Sequence, residues 1–463
     1  MSLVENYPFN EIQVGDSVSI SRTLTARDIE AFAAVSWDTN PAHLDPAFAD
    51  HTSLHGVVGH GMWTASILST LLGTRMPGPG TIYLGQTLKF MRPVHLQDTV
   101  TAQVQVLSKD EAHQSVVLRC EVQNQRGELV LEGEARVRAP GSKIRMEMPE
   151  RPMLQVFDPA KRLSDLIATA ADLEPVRCAV VHPCDEGSLQ GALDAAAQGL
   201  IIPVLIGPIE RIESAARSIE RSLEGLTLID VPHSHEAATR AAQLAASGEV
   251  EAIMKGSLHT DELMHAVVIE KGLRTKRRFS HVFRFDVPLY SKPIMITDAA
   301  LNIAPGLLEK RDIIQNAIDL AILLGCEQPR VAILSAVESI NPSIPSTLDA
   351  AALCKMADRG QILGGVLDGP LAFDNAVSPE ALKIKSILSP VAGQADILVV
   401  PDLESGNMLS KQLEYLAGAS GAGVVVGARV PIALTSRADG PRARAASALL
   451  VKRIAHQYRI SRP

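Results

Sequence analysis

Aromatic side chains are scarce in this sequence. Phe, Trp and Tyr make up only 3% of its 463 residues, so its cores must be filled by Ala, Val, Leu and Ile, as in α/β proteins. Cysteine is sparse too. Cys120, Cys178, Cys184, Cys326 and Cys354 are scattered, odd in number and without a C-x-x-C spacing. That pattern argues against a disulfide framework and a zinc site, and for reduced thiols in a cytoplasmic setting. No run of about eighteen apolar residues occurs, so no membrane span is expected. The start, Met1-Ser2-Leu3-Val4-Glu5-Asn6, has neither a basic stretch nor an apolar run, so no signal peptide is expected. Positive charge is in deficit: the net charge is −8, and no basic run is interleaved with aromatics, which argues against nucleic-acid partners. A P-loop and a G-x-G-x-x-G after a strand are both missing, which disfavours triphosphatase and dinucleotide chemistry.

What remains is a globular composition, 46% hydrophobic and 21% charged. The chain is too long for one ordinary core, so two or three domains are expected. The richest stretch runs from Ser36 to Met62. Asp38 and His43 lie five residues apart around Asn40-Pro41, a pair expected to break any helix and let both side chains point one way from irregular backbone. A long apolar helix is predicted from about Met62 to Arg75. Free amides at its start make Gly61 a natural place for negative charge to develop on a ligand. An acid–base pair beside an oxyanion donor suits addition of water to an activated double bond. Alone, Asp38 would pass as a turn residue; with His43 and His60-Gly61-Met62 in register, the functional reading is preferred. Ser66 reads equally as a small residue on a tightly packed helix and as a substrate contact. His51, His55 and His60 lack a completing carboxylate or cysteine, so no metal site is expected.

Around this stretch, Asp16–Thr25 alternates as a strand, and Thr25-x-x-Asp28 opens a helix. The segments Ile82–Met91, Thr99–Leu107, Gln114–Gln123 and Leu129–Val137 alternate with period two. One helix wrapped by a curved antiparallel sheet fits that order. The motif resembles the signature of the MaoC-like (R)-specific enoyl-CoA hydratases, Ser-Gly-Asp-x-Asn-Pro-x-His-x-Asp followed by His-Gly-Met. The likeness continues through Gly80-Thr81-Ile82-Tyr83-Leu84-Gly85-Gln86 and spans about Val14 to Arg138. It implies an α+β hotdog fold, hydration of trans-2-enoyl-CoA to (R)-3-hydroxyacyl-CoA by Asp38, His43 and Gly61, and a homo-oligomer paired through the sheet. Trp37 stands where Gly is usual, and a bulky residue there is expected to narrow the acyl pocket.

Alternation stops near Ala139. Residues 139–154 are polar and Pro-bearing and read as a linker between a hotdog domain at 1–138 and a second domain at 155–463. Short apolar runs then alternate with Ala-rich helices: Cys178–His182, Ile202–Ile206, Thr227–Val231, Ala252–Lys255, Ile294–Thr297, Val331–Leu334, Ile397–Val400 and Pro431–Thr435. These predict an α/β domain with a largely parallel sheet, in two lobes with a cleft.

Four clusters sit just after such strands or in Gly-bearing loops: Met254-Lys255-Gly256-Ser257-Leu258-His259-Thr260, Gly272-Leu273-Arg274-Thr275 with Ser280-His281, Pro401 to Asn407, and Leu434 to Asp439. Loops at strand carboxyl ends are placed to face one crevice. Arg437 offers a planar fork for phosphate, Ser436 a hydroxyl for a carbonyl or phosphate oxygen, and Asp439 a carboxylate to act on a thiol. Lys255 reads as a ligand-binding cation or as a helix-terminal surface charge. Arg437 and Asp439 read also as a surface ion pair. His182 and Cys184 do not face one another as a dyad would, and Arg442, Arg444, Lys452 and Arg453 are expected on a solvated helix face.

These clusters resemble the phosphate acetyl/butyryltransferase family over about Pro159 to Ala455, together with Thr297-Asp298-Ala299-Ala300-Leu301-Asn302 and Asp368-Gly369-Pro370. The resemblance implies exchange of an acyl group between CoA and inorganic phosphate. Ser436, Arg437 and Asp439 would be catalytic, and Lys255, His259, Thr260, Arg274 and Asn407 would bind substrate, with Ser66 doing so in the first domain. Acyl-CoA thioesters and phosphate are then substrates, with no permanently bound cofactor, no membrane and no nucleic acid. An alternative makes the second half a non-catalytic CoA-sensing or oligomerising module beside a working hydratase.

Overall fold

The computed structural model describes residues 3–147, 157–435 and 439–462. The chain divides into two compact units, Met1–Val156 and Phe157–Pro463.

In the first unit, Thr25 starts α1 (Ala26–Ser36) as predicted. Its side chain accepts from the Asp28 amide at 3.2 Å, and the Asp28 carboxylate accepts from the Thr25 amide at 3.0 Å, a reciprocal capping box. Two short helices, α2 (Pro41–Leu44) and α3 (Pro46–Asp50), precede the long α4 (Gly61–Thr74). Asn40-Pro41 therefore begins a helix rather than breaking one. Pro41 occupies the first helical position, where its missing N–H costs nothing, and the Asn40 side chain caps the Ala42 amide at 3.1 Å.

With β1 (Leu3–Glu5) and β2 (Ser17–Thr23) ahead of them, the remaining strands are β3 (Ile82–Gln86), β4 (Lys89–Phe90), β5 (Thr99–Asp110), β6 (Ser115–Asn124), β7 (Leu129–Arg138) and β8 (Arg145–Glu147). An antiparallel sheet runs β2-β5-β6-β7-β3, with β4 also on β7. The predicted strand Ile82–Met91 is thus split in two, and shifts of register between Tyr83 and Gly85 and between Val106 and Ser108 bend the sheet. Its concave face, Val100, Ala102, Val104, Leu118, Val122 and Ala135, closes on Trp63, Ile67, Leu68 and Leu71 of α4. This is the hotdog arrangement. Residues 139–147, expected as linker, fold back onto the unit: the Ala139 amide donates to the Gln114 carbonyl at 3.0 Å, and β8 pairs with β1.

The second unit holds one eleven-stranded mixed sheet. Its strands are β9 (Val176–Val181), β10 (Ile201–Gly207), β11 (Thr227–Asp230), β12 (Ala252–Lys255), β13 (Ser280–Asp286), β14 (Ile294–Thr297), β15 (Arg330–Leu334), β16 (Val366–Leu371), β17 (Ile397–Val399), β18 (Ser420–Val426) and β19 (Ile432–Ala433). The order is β11-β10-β9-β12-β19-β18-β13-β14-β17-β15-β16. The parallel set from β11 to β19 and the parallel set from β14 to β16 are joined by the antiparallel strands β18 and β13. Both lobes therefore share one sheet. The sequence reading missed β13, β16 and β18. Arg284 and Asp286 interrupt the apolar run of β13, and Gly421 and Gly423 make β18 read as a loop.

Close approach fixes Gly133 in β7: a Cβ there would lie 1.9 Å from the Thr87 carbonyl oxygen of the crossing chain. Gly133→Ala should destabilise the first unit by about 3 kcal/mol, the upper end for overpacking. Both tryptophans, Trp37 and Trp63, belong to this unit, so a lowered urea midpoint of tryptophan fluorescence checks the expectation.

Candidate functional site

In the first unit, Asp38 follows the C-cap of α1 and His43 sits on α2. The Asp38 side chain is 52% exposed, and its Oδ2 lies 3.9 Å from His43 Nε2. The His43 Nδ1 lies 2.8 Å from the Val58 carbonyl oxygen, which can only accept, so Nδ1 carries a proton and Nε2 is the ring nitrogen turned towards Asp38. A gap of 3.9 Å is too long for a direct hydrogen bond and suits a water molecule that touches both groups.

His60 completes the arrangement, though the sequence reading used it as a motif residue and weighed it only with His51 and His55. Buried at the start of α4, it donates from Nε2 to the Asp38 carbonyl oxygen at 3.0 Å. Its ring packs on that of His43, with centroids 3.9 Å apart and planes 33° from parallel. Its Nδ1 is buried with no hydrogen-bond partner. Asp38, His43 and His60 bring ligand atoms within 4.8 Å of one another, the spacing of a metal site.

Gly61 opens α4, where amides lack helical acceptors, and a Cβ there would come 3.2 Å from the Phe90 ring. Ser66 donates to the Trp63 carbonyl oxygen at 2.7 Å on the exposed side of α4. Trp37 does not narrow a pocket within this unit. Its φ of 64° makes it the left-handed cap of α1, and its side chain is 87% exposed. The position suits glycine for backbone reasons.

In the second unit, Lys255, His259, Thr260, Asn407 and Asp439 line one cavity of about 370 Å³, with His281, Phe283, Glu414 and Thr435. They reach it from different elements. Lys255 ends β12, and His259 caps the helix Thr260–Ile269. The carboxyl ends of β12 and β17 point opposite ways in the mixed sheet. Asn407 arrives because the helix Leu403–Tyr415 that follows β17 packs beside the sheet through Leu409 and Leu413. Lys255 is only 5% exposed, and its Nζ donates to the Thr435 carbonyl oxygen at 3.2 Å. Gly256 permits this, since a Cβ there would lie 2.3 Å from the Val181 carbonyl oxygen.

Arg274 is not in that cavity. It lines a separate one of about 330 Å³ with Arg277, Arg278 and Phe279, and its Nε donates to the Val268 carbonyl oxygen at 2.9 Å. Ser436 and Arg437 lie outside the described residues.

Arg444 and Lys452, expected on a solvated face, are buried. The helix Pro441–Ile460 is covered on most sides and rich in Ala, so its basic stems thread to carbonyl groups: Lys452 to Gly199 at 3.0 Å, and Arg444 to Asp439 at 3.1 Å. Arg444 also donates to the Thr435 hydroxyl at 3.2 Å, which braces the loop on both sides of the undescribed residues. His182 binds the Ser257 hydroxyl at 3.1 Å instead of Cys184, and burial pushes the Cys184 thiol up to about 11.

Comparison with known proteins bears directly on this geometry. A model of the family described as phosphate acetyl/butaryl transferase matches residues 233–450. The phosphate acetyltransferase of Rhizobium meliloti is 59% identical over 283 residues, 61% of this chain and 90% of the relative. The chain belongs to the phosphate acetyl/butyryltransferase family. The phosphate butyryltransferase of Clostridium acetobutylicum is 38% identical over 64% of the chain and 98% of its own length. Among solved structures, a branched-chain phosphotransacylase from Enterococcus faecalis is similar, with a TM-score of 0.53, 29% identity, and coverage of 61% of this chain and 99% of that one. The model of the MaoC like domain matches residues 10–126, so the first unit carries that domain. An R-hydratase from Pseudomonas aeruginosa is 41% identical over 34% of this chain and the whole of its own, with a TM-score of 0.33.

Two further residues line the transferase-family cavity: Glu414, which the sequence reading did not name as a site residue, and His281, which it placed in the cluster with Arg274 but gave no role. Glu414 faces Asp439, and burial, then the Asp439 charge, push its carboxyl above the usual range. His281 is 0% exposed, with neither ring nitrogen hydrogen-bonded. Burial lowers its pKa to about 4, against the opposing pull of Asp298. Above the unfolded value near 6.5 the imidazole is neutral in both states. As pH falls from there towards 4, the unfolded chain takes up a proton that the folded chain refuses, so stability is lost. The expected loss approaches about 1.4 kcal/mol per pH unit inside that window. Urea midpoints followed by circular dichroism between pH 7 and 4.5 should show it, and His281→Leu should remove that part of the slope.

Proposed function

We propose that the chain is a bifunctional enzyme acting on coenzyme A thioesters. The second unit transfers an acyl group, acetyl in our reading, between CoA and inorganic phosphate. What supports this reading is the convergence of Lys255, His259, Thr260, Asn407 and Asp439, from distant parts of the sequence, on one cavity. In the direction of CoA acylation, Asp439 takes the thiol proton, the thiolate attacks the carbonyl carbon of the acyl phosphate, and phosphate leaves. A thiol with an ordinary pKa near ~8.5 needs such a base. Ser436 steadies the oxyanion and Arg437 holds the leaving phosphate. Lys255, held from behind by the Thr435 carbonyl, supplies further positive charge. Arg274 drops to a peripheral binding role at most, because it faces another cavity.

The first unit hydrates trans-2-enoyl-CoA to the (R)-3-hydroxyacyl thioester. Support comes from the 3.9 Å gap between Asp38 Oδ2 and His43 Nε2. A water in that gap loses a proton to the pair while its oxygen bonds to C3, and C2 receives a proton in return. The Gly61 amide takes up charge on the thioester oxygen. We further propose a homo-oligomer through β3, an edge strand whose Ile82, Tyr83 and Leu84 are exposed. No helix among the described residues is long and apolar enough to cross a membrane, and the free cysteines fit a reducing cytoplasm.

Two single substitutions separate the activities. Asp38→Asn should slow hydration of crotonyl-CoA by about 10²–10⁴-fold and leave phosphate-dependent thiol release at the parent level. A hydration rate equal to the parent's removes Asp38 from the reaction. Arg437→Ala should do the reverse, lowering thiol release from acetyl-CoA and phosphate by about 10²-fold or more. A parent chain that releases no thiol from acetyl-CoA and phosphate would favour the non-catalytic reading of the second unit.

A further inference from the structure

The cavity in the second unit has a polar side and an apolar side. Lys255, Thr260, Asn407 and Asp439 supply the first, where phosphate and thiolate must lie. On the other side, Leu258 and Leu434 are themselves buried, and the aromatic rings that line the space are those of half-buried Phe283 on the sheet and of exposed Tyr415 at the end of the helix Leu403–Tyr415. An acyl tail has no hydrogen bonds to offer, and it is driven towards apolar surface.

Phe283 is also held rigidly. It sits on β13, in the middle of the sheet, in a row of alternate residues on one face. His281 stands against it edge to face, with ring centroids 4.3 Å apart, and Phe285 stacks on its other side at 5.4 Å. The facing strand β18 has glycines under this row. A Cβ on Gly423 would come 3.1 Å from Phe283 Cε1, and one on Gly421 would come 2.4 Å from Phe285 Cε1. The rings lean into the space those glycines leave. Hemmed in by two rings and a strand, Phe283 cannot swing aside for a longer tail, and a stiff wall discriminates by size where a yielding one would not.

We propose that Phe283 sets the length of the acyl group in the transferase cleft, so that acetyl is accepted and butyryl is hindered. The inference rests on the transferase reading above and names the residue that decides its substrate. A tail with two more methylenes must press on the ring, and each methylene in such a pocket is worth about 10–200-fold in specificity.

The test uses the full chain with phosphate and either acetyl-CoA or butyryl-CoA, measuring thiol release and the ratio of kcat/KM for the two. Phe283→Ala should raise the butyryl-to-acetyl ratio by about 10-fold or more. Phe283→Leu, which keeps an apolar filling and guards against misfolding, should move the ratio the same way by less. Circular dichroism confirms that each variant is folded. A parent chain active with acetyl-CoA, whose ratio stays unchanged in both folded variants, overturns the inference and leaves the transferase reading standing. A parent chain with no phosphate-dependent release from either thioester overturns the transferase reading, and this inference with it.

Discussion

Each site depends on side-chain N–H groups tied to backbone carbonyl oxygens. His43 is held by Val58, His60 by Asp38, Lys255 by Thr435 and Arg444 by Asp439. A carbonyl orients a ring or an ammonium without neutralising it. It fixes which ring nitrogen of His43 faces the site, and it holds the Lys255 ammonium at the cavity wall. A carboxylate in its place would favour imidazolium. Because the acceptors are main chain, the positions of these groups follow the fold and survive changes in side-chain charge nearby.

The eleven-stranded sheet shows how such a site is assembled from strands that run in opposite senses. In a purely parallel sheet the carboxyl ends of all strands would share one edge, and a ligand would lie there. Here β13 and β18 reverse the sense between the two halves, so the loops after β12 and β17 leave from opposite edges. The helix Leu403–Tyr415 makes up the difference by carrying Asn407 and Glu414 back to the cavity. The reversal also places β13 on the cavity, with the alternate faces of an antiparallel strand directing His281 and Phe283 the same way. The glycines of β18 make this possible, since the row of rings occupies the volume that side chains there would need.

How much of this was legible in the sequence follows from how local each feature is. The stretch from Asp38 to Gly61 could be read because its parts lie within a short span and carry turn and helix-start chemistry. The capping box at Thr25 and the alternation of β5, β6 and β7 were legible for the same reason. Pro41 was misjudged because one residue type both ends helices and begins them, and only the Asn40 cap decides which. In the second unit, the buried parallel strands announced themselves as apolar runs, whereas β13 and β18 did not. Arg284 and Asp286 pair within 2.6 Å inside the protein, and a buried ion pair looks in sequence like surface. Arg444 and Lys452 misled in the same manner. Long basic side chains that end on carbonyl groups are indistinguishable by composition from solvated ones. Arg274 was grouped with the cavity residues by motif alone, and only tertiary packing sends it elsewhere.

The two sites also differ in their relation to water, as the proposed reactions require. Hydration consumes a water molecule, and the Asp38 side chain is half open to solvent. Acyl transfer to phosphate or thiol is spoiled by water, which would hydrolyse both the acyl phosphate and the thioester. There Lys255 and His281 are buried and Phe283 walls the apolar side. A neutral, fully buried imidazole lining the cavity adds no charge there, so it lowers the local dielectric around the reacting carbonyl. An ionised residue at position 281 would draw solvent inward, and the burial that keeps its pKa low therefore protects the very bond the site is proposed to exchange.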